Sequence, residues 1–345
     1  MIAEKIYSFV EENYGQKAAN SLEKLAESGS NRSYYRFWDE NGSKILTYSS
    51  DVAENKTFFY FTQLLDRVYP EIAPKVYQIN TDKDLYIQED LGTTSLMDLV
   101  KENSPDVDNL YRKVITKLIE CQLGLHQLID YNRCYSYQDF DQVLSLRDLF
   151  QFKFYFLDAL SIPFTPNALI HDFEKFSLDF ERLEPKGFIF RDFQSRNIMI
   201  KQNTPMFIDY QGGLKGPILY DLVSLIWQAK ANFSDQKKTN LLHEYLQQLR
   251  IFRSDYTNEM LYETYHYCVV IRVLQTLGAY GLRGLIERKP HFLDSIQFGL
   301  ENLKKIVDFP ILKKYPALLS IIHQSTLPET TYQIKQIIHG HTTQH

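Results

Sequence analysis

At 345 residues the chain exceeds the usual size of a single hydrophobic core, so two lobes are expected. Hydrophobic residues make up 44% and charged residues 23%, an ordinary globular balance, and a formal net charge of −5 without a long basic run excludes the electrostatic footprint of a nucleic-acid binder. The three cysteines, Cys121, Cys134 and Cys268, are odd in number and lack CxxC spacing, which fits reduced core thiols of a cytoplasmic protein and neither a disulfide framework nor a zinc site.

Residues 2–14 place Ile2, Ile6, Phe9 and Val10 on one face of a short amphipathic helix, and the acids in this stretch argue against a secretory signal. Apolar runs elsewhere are expected to fall short of a membrane span, since even YCVVIRVLQTLGAYGL is interrupted by Arg272. Tyr34 to Trp38 and Ile45 to Tyr48 are rich in β-formers, and Asn41-Gly42 between them predicts a hairpin. A polar loop with Gly29, Ser30, Asn31 and Arg32 precedes it, and Lys44 opens its second strand. ENKTFFYFTQLLDRVY predicts a helix opened by Glu54, an acid favoured there by the helix macrodipole. IAPKVYQINTDKDLYIQEDLG reads as two strands around an Asn80-Thr81-Asp82 turn. The lobe boundary is placed near Leu91, giving an N-lobe of residues 1–91 and a C-lobe of residues 92–345.

After Thr93 the chain is mostly helical. Val107, Leu110, Val114, Leu118, Cys121, Leu125 and Leu128 recur at three- and four-residue intervals, one face of a long helix, with His126 beside it as a structural residue. Residues 139–160 and 167–183 predict two more helices, separated by Pro163 and Pro166, and the aromatic run FQFKFYFLDAL reads as core.

The stretch from Gly187 to Gly213 carries the chemistry. Phe188–Phe190 and Ile198–Ile200 flank a polar loop, and Met206–Ile208 follows a Gln202–Pro205 turn and ends at Asp209. Asp192 and Asn197, five residues apart across the loop, with Asp209 at the end of the hairpin, have the layout of a kinase catalytic loop and its metal-binding acid. Phosphoryl transfer asks for these residue types: a carboxylate to accept the proton of the attacking hydroxyl, and an amide oxygen with a second carboxylate to hold Mg²⁺, a hard cation that prefers oxygen. Asp192 is the base on this reading, and Asn197 and Asp209 are the metal ligands. Taken alone, Asp192 and Asn197 are also common turn residues.

RDFQSRNIM, IDYQGGLKGP and YDLVSLI resemble the aminoglycoside-phosphotransferase-like kinases. The likeness is strongest to the branch that includes the bacterial N-acetylmuramate/N-acetylglucosamine 1-kinases, the anomeric sugar kinases of cell-wall recycling, and it runs from about Gly29 to about Leu293. It implies a two-lobed α+β protein-kinase-like fold with a small β-rich N-lobe, a larger helical C-lobe and ATP between the lobes. In such folds the loop between the first two strands covers the ATP phosphates. GSNRSYYR resembles that loop, so Ser30, Asn31 and Arg32 are expected to bind the cofactor. LYIQEDLG resembles the hinge that meets adenine, with Glu89 and Asp90 acting through the main chain.

Two departures from the family pattern stand out. The lysine inside the second strand is missing; Lys44 lies at the strand's start, so Lys44, Arg32 and Arg36 are the candidates for the phosphate-binding cation, with Glu54 as its helix partner. The histidine two before the base is replaced by Phe190. Arg196 is a candidate for contact with the transferred phosphoryl group, and its removal should mainly lower kcat. GGLKGPILYDLVSLIWQAKA begins with a glycine-rich turn and places Pro217 at a helix start, and the family's matching acid, Asp221, implies a brace for the catalytic loop. RVLQTLGAYG and ERKPHFL resemble the sugar-kinase branch, which makes Arg272, Gln275, Arg288 and His291 substrate-side or supporting candidates. The tail HGHTTQH has histidines but no metal-ligand spacing.

The expected function is an ATP- and Mg²⁺-dependent kinase acting on the anomeric hydroxyl of an amino sugar, with no nucleic-acid or membrane partner. Two alternatives accompany it: a kinase of an aminoglycoside, choline or another small alcohol, and a pseudokinase that binds nucleotide without turnover, suggested by the missing strand lysine and by Phe190. Oligomeric state is left open.

Overall fold

The structure, a computed structural model, describes residues 2–26 and 32–342. The chain divides into two compact units, Met1–Gln138 with Ser195–Gly213 and Asp139–Gln194 with Leu214–His345. The expected N-lobe of residues 1–91 lies within the first unit, which also takes in the helices up to Gln138 and the hairpin after the catalytic loop. The fold is α+β, with a β-sheet N-lobe and a mostly helical C-lobe.

The first unit opens with α1 (Ile2–Tyr14), which buries Ile6 and Val10 against Phe37, Leu46, Leu85 and Ile87. After α2 (Gln16–Ala19) come β1 (Glu23–Lys24), β2 (Ser33–Asp39), β3 (Gly42–Tyr48), α3 (Val52–Val68), β4 (Val76–Ile79) and β5 (Leu85–Glu89). Among the described residues these five strands form an antiparallel sheet in the order β1-β2-β3-β5-β4. The β2–β3 turn is one residue earlier than predicted. Asp39 pairs with Gly42, so Glu40 and Asn41 make the turn, and Gly42 supplies a φ of 114° that a side chain would resist. Asp51 caps α3 by accepting the N–H of Glu54 at 2.9 Å. α4 (Leu96–Lys101) begins with a capping box between Ser95 and Asp98, and α5 (Val107–Leu128) has the predicted bounds.

The second unit begins with α6 (Gln142–Phe152), which continues into a wider π turn, Lys153–Asp158, and α7 (Pro166–Glu181) follows. Phe152, Phe156, Leu157 and Leu160 are buried, as the core reading of FQFKFYFLDAL requires, whereas Phe154 is half exposed. β6 (Lys186–Ile189) leads to the catalytic loop. The chain then returns to the first unit as the hairpin β7 (Ile198–Lys201) and β8 (Thr204–Phe207). Back in the second unit, β9 (Leu214–Pro217) pairs antiparallel with β6, placing Pro217 opposite Lys186. Pro217 therefore ends a strand and does not start a helix; α8 (Leu219–Ile226) begins two residues later, after Ile218 has donated its N–H to the Pro185 carbonyl at 3.1 Å.

The remaining helices are α9 (Asp235–Phe252), α10 (Asn258–Tyr280) with a π turn at Gly281–Ile286, α11 (Pro290–Ile306), α12 (Pro316–Thr326) and α13 (Pro328–Thr342). Arg272 does not interrupt α10. The continuous run Asn258–Ile286 is long and apolar enough to cross a membrane by length and composition, which corrects the expectation that no run reaches that length; much of it is buried as a core helix of this unit. Two glycines let α10 approach α6. A Cβ at Gly278 would lie 2.7 Å from the backbone nitrogen of Phe152, and one at Gly281 would collide with the carbonyl oxygen of Tyr155.

Because the obstacle at Gly278 is backbone and not a movable side chain, Gly278→Ala should destabilise the protein by about 1–3 kcal/mol, read as a lower urea midpoint at unchanged m-value.

Candidate active site

The catalytic loop is tied down at its backbone first. Asp221, fully buried on α8, accepts the N–H of Phe190 at 2.8 Å and the N–H of Arg191 at 2.9 Å. A carboxylate accepting two amides stabilises both donors and itself, and this is the brace expected of Asp221. Phe190, where a histidine was expected, is buried and packs edge-on to Phe188 with centroids 5.1 Å apart, and against Phe193 at 5.2 Å. Arg191 adopts a left-handed φ of 70° and pairs at 3.4 Å with Asp148, a fully buried acid on α6 that also accepts from Arg147 at 2.8 Å.

With the backbone fixed, the Asp192 side chain is 52% exposed. Arg272 of α10 places Nη1 3.4 Å from Asp192 Oδ1, and the same nitrogen donates to Tyr220 Oη at 3.2 Å and to Gln275 Oε1 at 2.9 Å. Burial pushes the Tyr220 phenol up to about 12, against the lowering effect of Arg272, so it stands beside the guanidinium as a neutral hydroxyl.

The metal-ligand candidates belong to the first unit. A short turn, Ser195–Asn197, is pinned by Ser195 Oγ, 2.6 Å from Tyr111 Oη, and leads into β7. Ile198 pairs with Phe207 and the Ile208 N–H donates to the Asn197 carbonyl at 3.0 Å, so the hairpin register brings residues 197 and 209 side by side. Asn197 Nδ2 donates to Asp209 Oδ2 at 3.2 Å, and Asp209 itself has a left-handed φ of 61°. An amide and a carboxylate joined in this way offer hard oxygen donors at one place, a donor set that fits Mg²⁺.

Behind this pair runs a line of polar contacts. Gln211 Nε2 donates to Asp209 Oδ1 at 2.8 Å and to Glu54 Oε1 at 3.3 Å, and Glu54 Oε2 is 3.0 Å from Nη2 of the buried Arg32. Between Asp209 and Gln211, Tyr210 stacks on Phe58 with centroids 5.1 Å apart and sets its hydroxyl 2.7 Å from Thr62 Oγ1 of α3. Of the three cations proposed for the strand-lysine role, Arg32 is the one paired with Glu54.

The other expected site residues lie elsewhere. Ser30 and Asn31, with Gly29, fall outside the described residues. Lys44 is bonded to Asp39 at 2.5 Å, with the rings of Tyr14 and Tyr77 5.3 and 5.6 Å away, and Arg36 is bonded to Asp90 at 2.6 Å. Glu89 donates its N–H to the Lys75 carbonyl at 2.8 Å, and its carboxylate accepts from Lys201 Nζ at 2.5 Å. Arg196 is exposed; Arg288 and His291 are exposed too, the imidazole lying on Phe292 at 4.3 Å. Sequence reasoning passed over Gln211, Tyr210 and Asp148. For Asp148 a signal was present: it falls four residues after Leu144 and four before Phe152, and an acid on an apolar helix face calls for a buried cation.

Comparison with known proteins places these features in context. A family model described as "Phosphotransferase enzyme family" matches residues 21–261. An N-acetylmuramate/N-acetylglucosamine kinase of Pseudomonas putida is 23% identical over 308 residues, covering 87% of each chain. A protein of the same name from Neisseria meningitidis is 24% identical over 226 residues, covering 64% of this chain and 65% of that one. Among solved structures, an amicoumacin kinase aligns with a TM-score of 0.58 at 14% identity, covering 86% of this chain and 92% of its own. A Plasmodium vivax ethanolamine kinase aligns with a TM-score of 0.56 at 14% identity over 91% and 89% of the two chains. These structural likenesses show a shared protein-kinase-like fold.

Two outcomes follow from the geometry. Asp221→Ala leaves one buried and one partly buried N–H without their acceptor and should cost about 2–5 kcal/mol in urea unfolding. Arg32→Met removes the cation paired with Glu54 and should lower the urea midpoint, with Arg32→Lys between it and the parent because an ammonium lacks the planar fork.

Proposed function

Because the chain belongs to the phosphotransferase enzyme family, we propose that it is an ATP- and Mg²⁺-dependent kinase phosphorylating the anomeric hydroxyl of an amino sugar of the N-acetylmuramate/N-acetylglucosamine type. The observation that carries the reading is the hydrogen-bonded Asn197–Asp209 pair, with Asn197 five residues along the chain from Asp192, whose preceding backbone, at Phe190 and Arg191, Asp221 holds. Asp192 takes the proton of the acceptor hydroxyl as that oxygen forms its bond to the γ-phosphorus. The bond from the γ-phosphorus to the β–γ bridging oxygen breaks, and ADP leaves with the electron pair. Asn197 and Asp209 would hold a Mg²⁺, which when bound would offset the negative charge of the phosphates. Arg32, paired with Glu54, is assigned to the ATP phosphates, Ser30 and Asn31 are assigned to the same cofactor from the sequence, and Arg196 to the transferred group.

The acceptor class is supported by the names of the relatives. The nucleotide belongs to residues 1–91 and the acceptor to residues 92–345 on this reading. A cytoplasmic setting suits both ATP supply and free cysteines whose thiols burial pushes up and leaves inert.

The test is ADP release against amino sugars, neutral hexoses, choline and aminoglycosides, with phosphorus NMR of any product and Asp192→Asn as the blank. Turnover on amino sugars that yields an anomeric phosphate and falls by at least about 10³-fold in the mutant is the expected result. Turnover on cationic acceptors alone overturns the substrate class, and ATP binding without turnover across the panel overturns the enzyme reading in favour of a nucleotide-binding module.

A further inference from the structure

We propose that Arg272 is the positioning residue of the catalytic base: it holds one carboxylate oxygen of Asp192 and so sets the direction from which the acceptor proton is taken. The proposal rests on the reading of Asp192 as the base.

Three observations converge on it. The Arg272 side chain is only 7% exposed, whereas Asp192 is 52% exposed, so the arginine is out of reach of an acceptor that the aspartate meets. A buried guanidinium demands partners, and Nη1 finds a carboxylate oxygen at 3.4 Å, a phenol at 3.2 Å and an amide oxygen at 2.9 Å. The phenol belongs to Tyr220, the residue immediately before Asp221. One stretch of α8 therefore restrains the loop twice, through its backbone by Asp221 and through the base by way of Tyr220 and Arg272.

Arg272 is also fixed at its root. α10 lies against α6 and its π turn at Gly278 and Gly281, closely enough that neither position admits a Cβ, so the guanidinium reaches Asp192 from a helix whose height and rotation are set. A positive charge at this place favours the ionised carboxylate, the form a base needs before the reaction, and opposes its protonation during it. The contribution of Arg272 to rate is thus orientation of the carboxylate and its readiness at low pH, and not binding of the sugar.

The experiment compares Arg272→Gln, Arg272→Lys and Tyr220→Phe with the parent and with Asp192→Asn, measuring kcat, both KM values and the pH dependence of kcat/KM. Arg272→Gln should lower kcat by about 30- to 100-fold, leave the KM for ATP within about twofold, and move the acid limb of kcat/KM upward, since a neighbouring cation no longer favours the ionised form. Arg272→Lys should restore the acid limb and part of kcat, and Tyr220→Phe should lower kcat several-fold at unchanged ATP affinity. If Asp192→Asn keeps its turnover, the base reading falls and this proposal with it. If Asp192→Asn is silent while Arg272→Gln keeps the parental kcat and acid limb, only this proposal falls. Should Arg272→Gln fail to fold, a parental kcat in both Arg272→Lys and Tyr220→Phe overturns it equally.

Discussion

A buried carboxylate accepting two backbone amides is the interaction on which the rest of the site depends. Asp221 fixes the N–H groups of Phe190 and Arg191, and only with those in place does the left-handed turn at Arg191 deliver Asp192 outward. The aromatic packing of Phe188, Phe190 and Phe193 fills the space behind the turn, doing by contact what a histidine would do by hydrogen bonding. Arg191 then finds its counter-charge in Asp148, so the strained residue is held at both its backbone and its side chain.

Each unit thus solves its own charge problem. In the second, Arg272 and Arg191 are matched by Asp192 and Asp148. In the first, Arg32 is matched by Glu54, and Gln211 carries the contact on to Asp209. The cation that pairs with Glu54 is an arginine ahead of the first long strand and not a lysine within the next one. A guanidinium is planar and always charged, and it can hold a glutamate with one edge while offering another. Lys44 is meanwhile absorbed by Asp39 and two tyrosine rings, and Arg36 by Asp90, whose carboxyl that guanidinium holds below the usual range despite the opposing effect of burial.

Much of this was legible because short-range rules governed it. The apolar spacing of α5 is regular enough to give its bounds, and the Gln202–Pro205 turn between two apolar runs announces the β7–β8 hairpin. The spacing of Asp192, Asn197 and Asp209 is likewise a property of the loop and hairpin that separate them. What escaped depends on pairings distant in sequence. Arg272 meets a residue eighty positions away, and local patterning carries no trace of it, whereas the Arg32–Glu54 pair, which spans a whole hairpin, was one of three possibilities offered by the family resemblance. Pro217 misled because proline is compatible both with a helix start and with the last position of a short strand, and the choice was made by pairing with Lys186. Arg272 misled as a breaker of an apolar run because the partners that satisfy it were invisible in the run itself.

The excursion of the chain from the second unit into the first, Ser195–Gly213, has a consequence for the order of assembly during synthesis. When Gln138 leaves the ribosome, the first unit still lacks the groups that close it. The Ile72 carbonyl awaits the Phe207 N–H at 2.6 Å, the Thr94 carbonyl awaits the Ile200 N–H at 3.0 Å, and Lys117 awaits the Pro205 carbonyl at 3.3 Å. The nascent N-terminal part therefore waits, incomplete, through the emergence of α6, α7 and β6, and folding in the simple N-to-C succession open to contiguous domains is not available to it. The segment that finally closes it is also the one that bears Asn197 and Asp209, so the first unit gains its last structural contacts and its metal-ligand candidates in the same event.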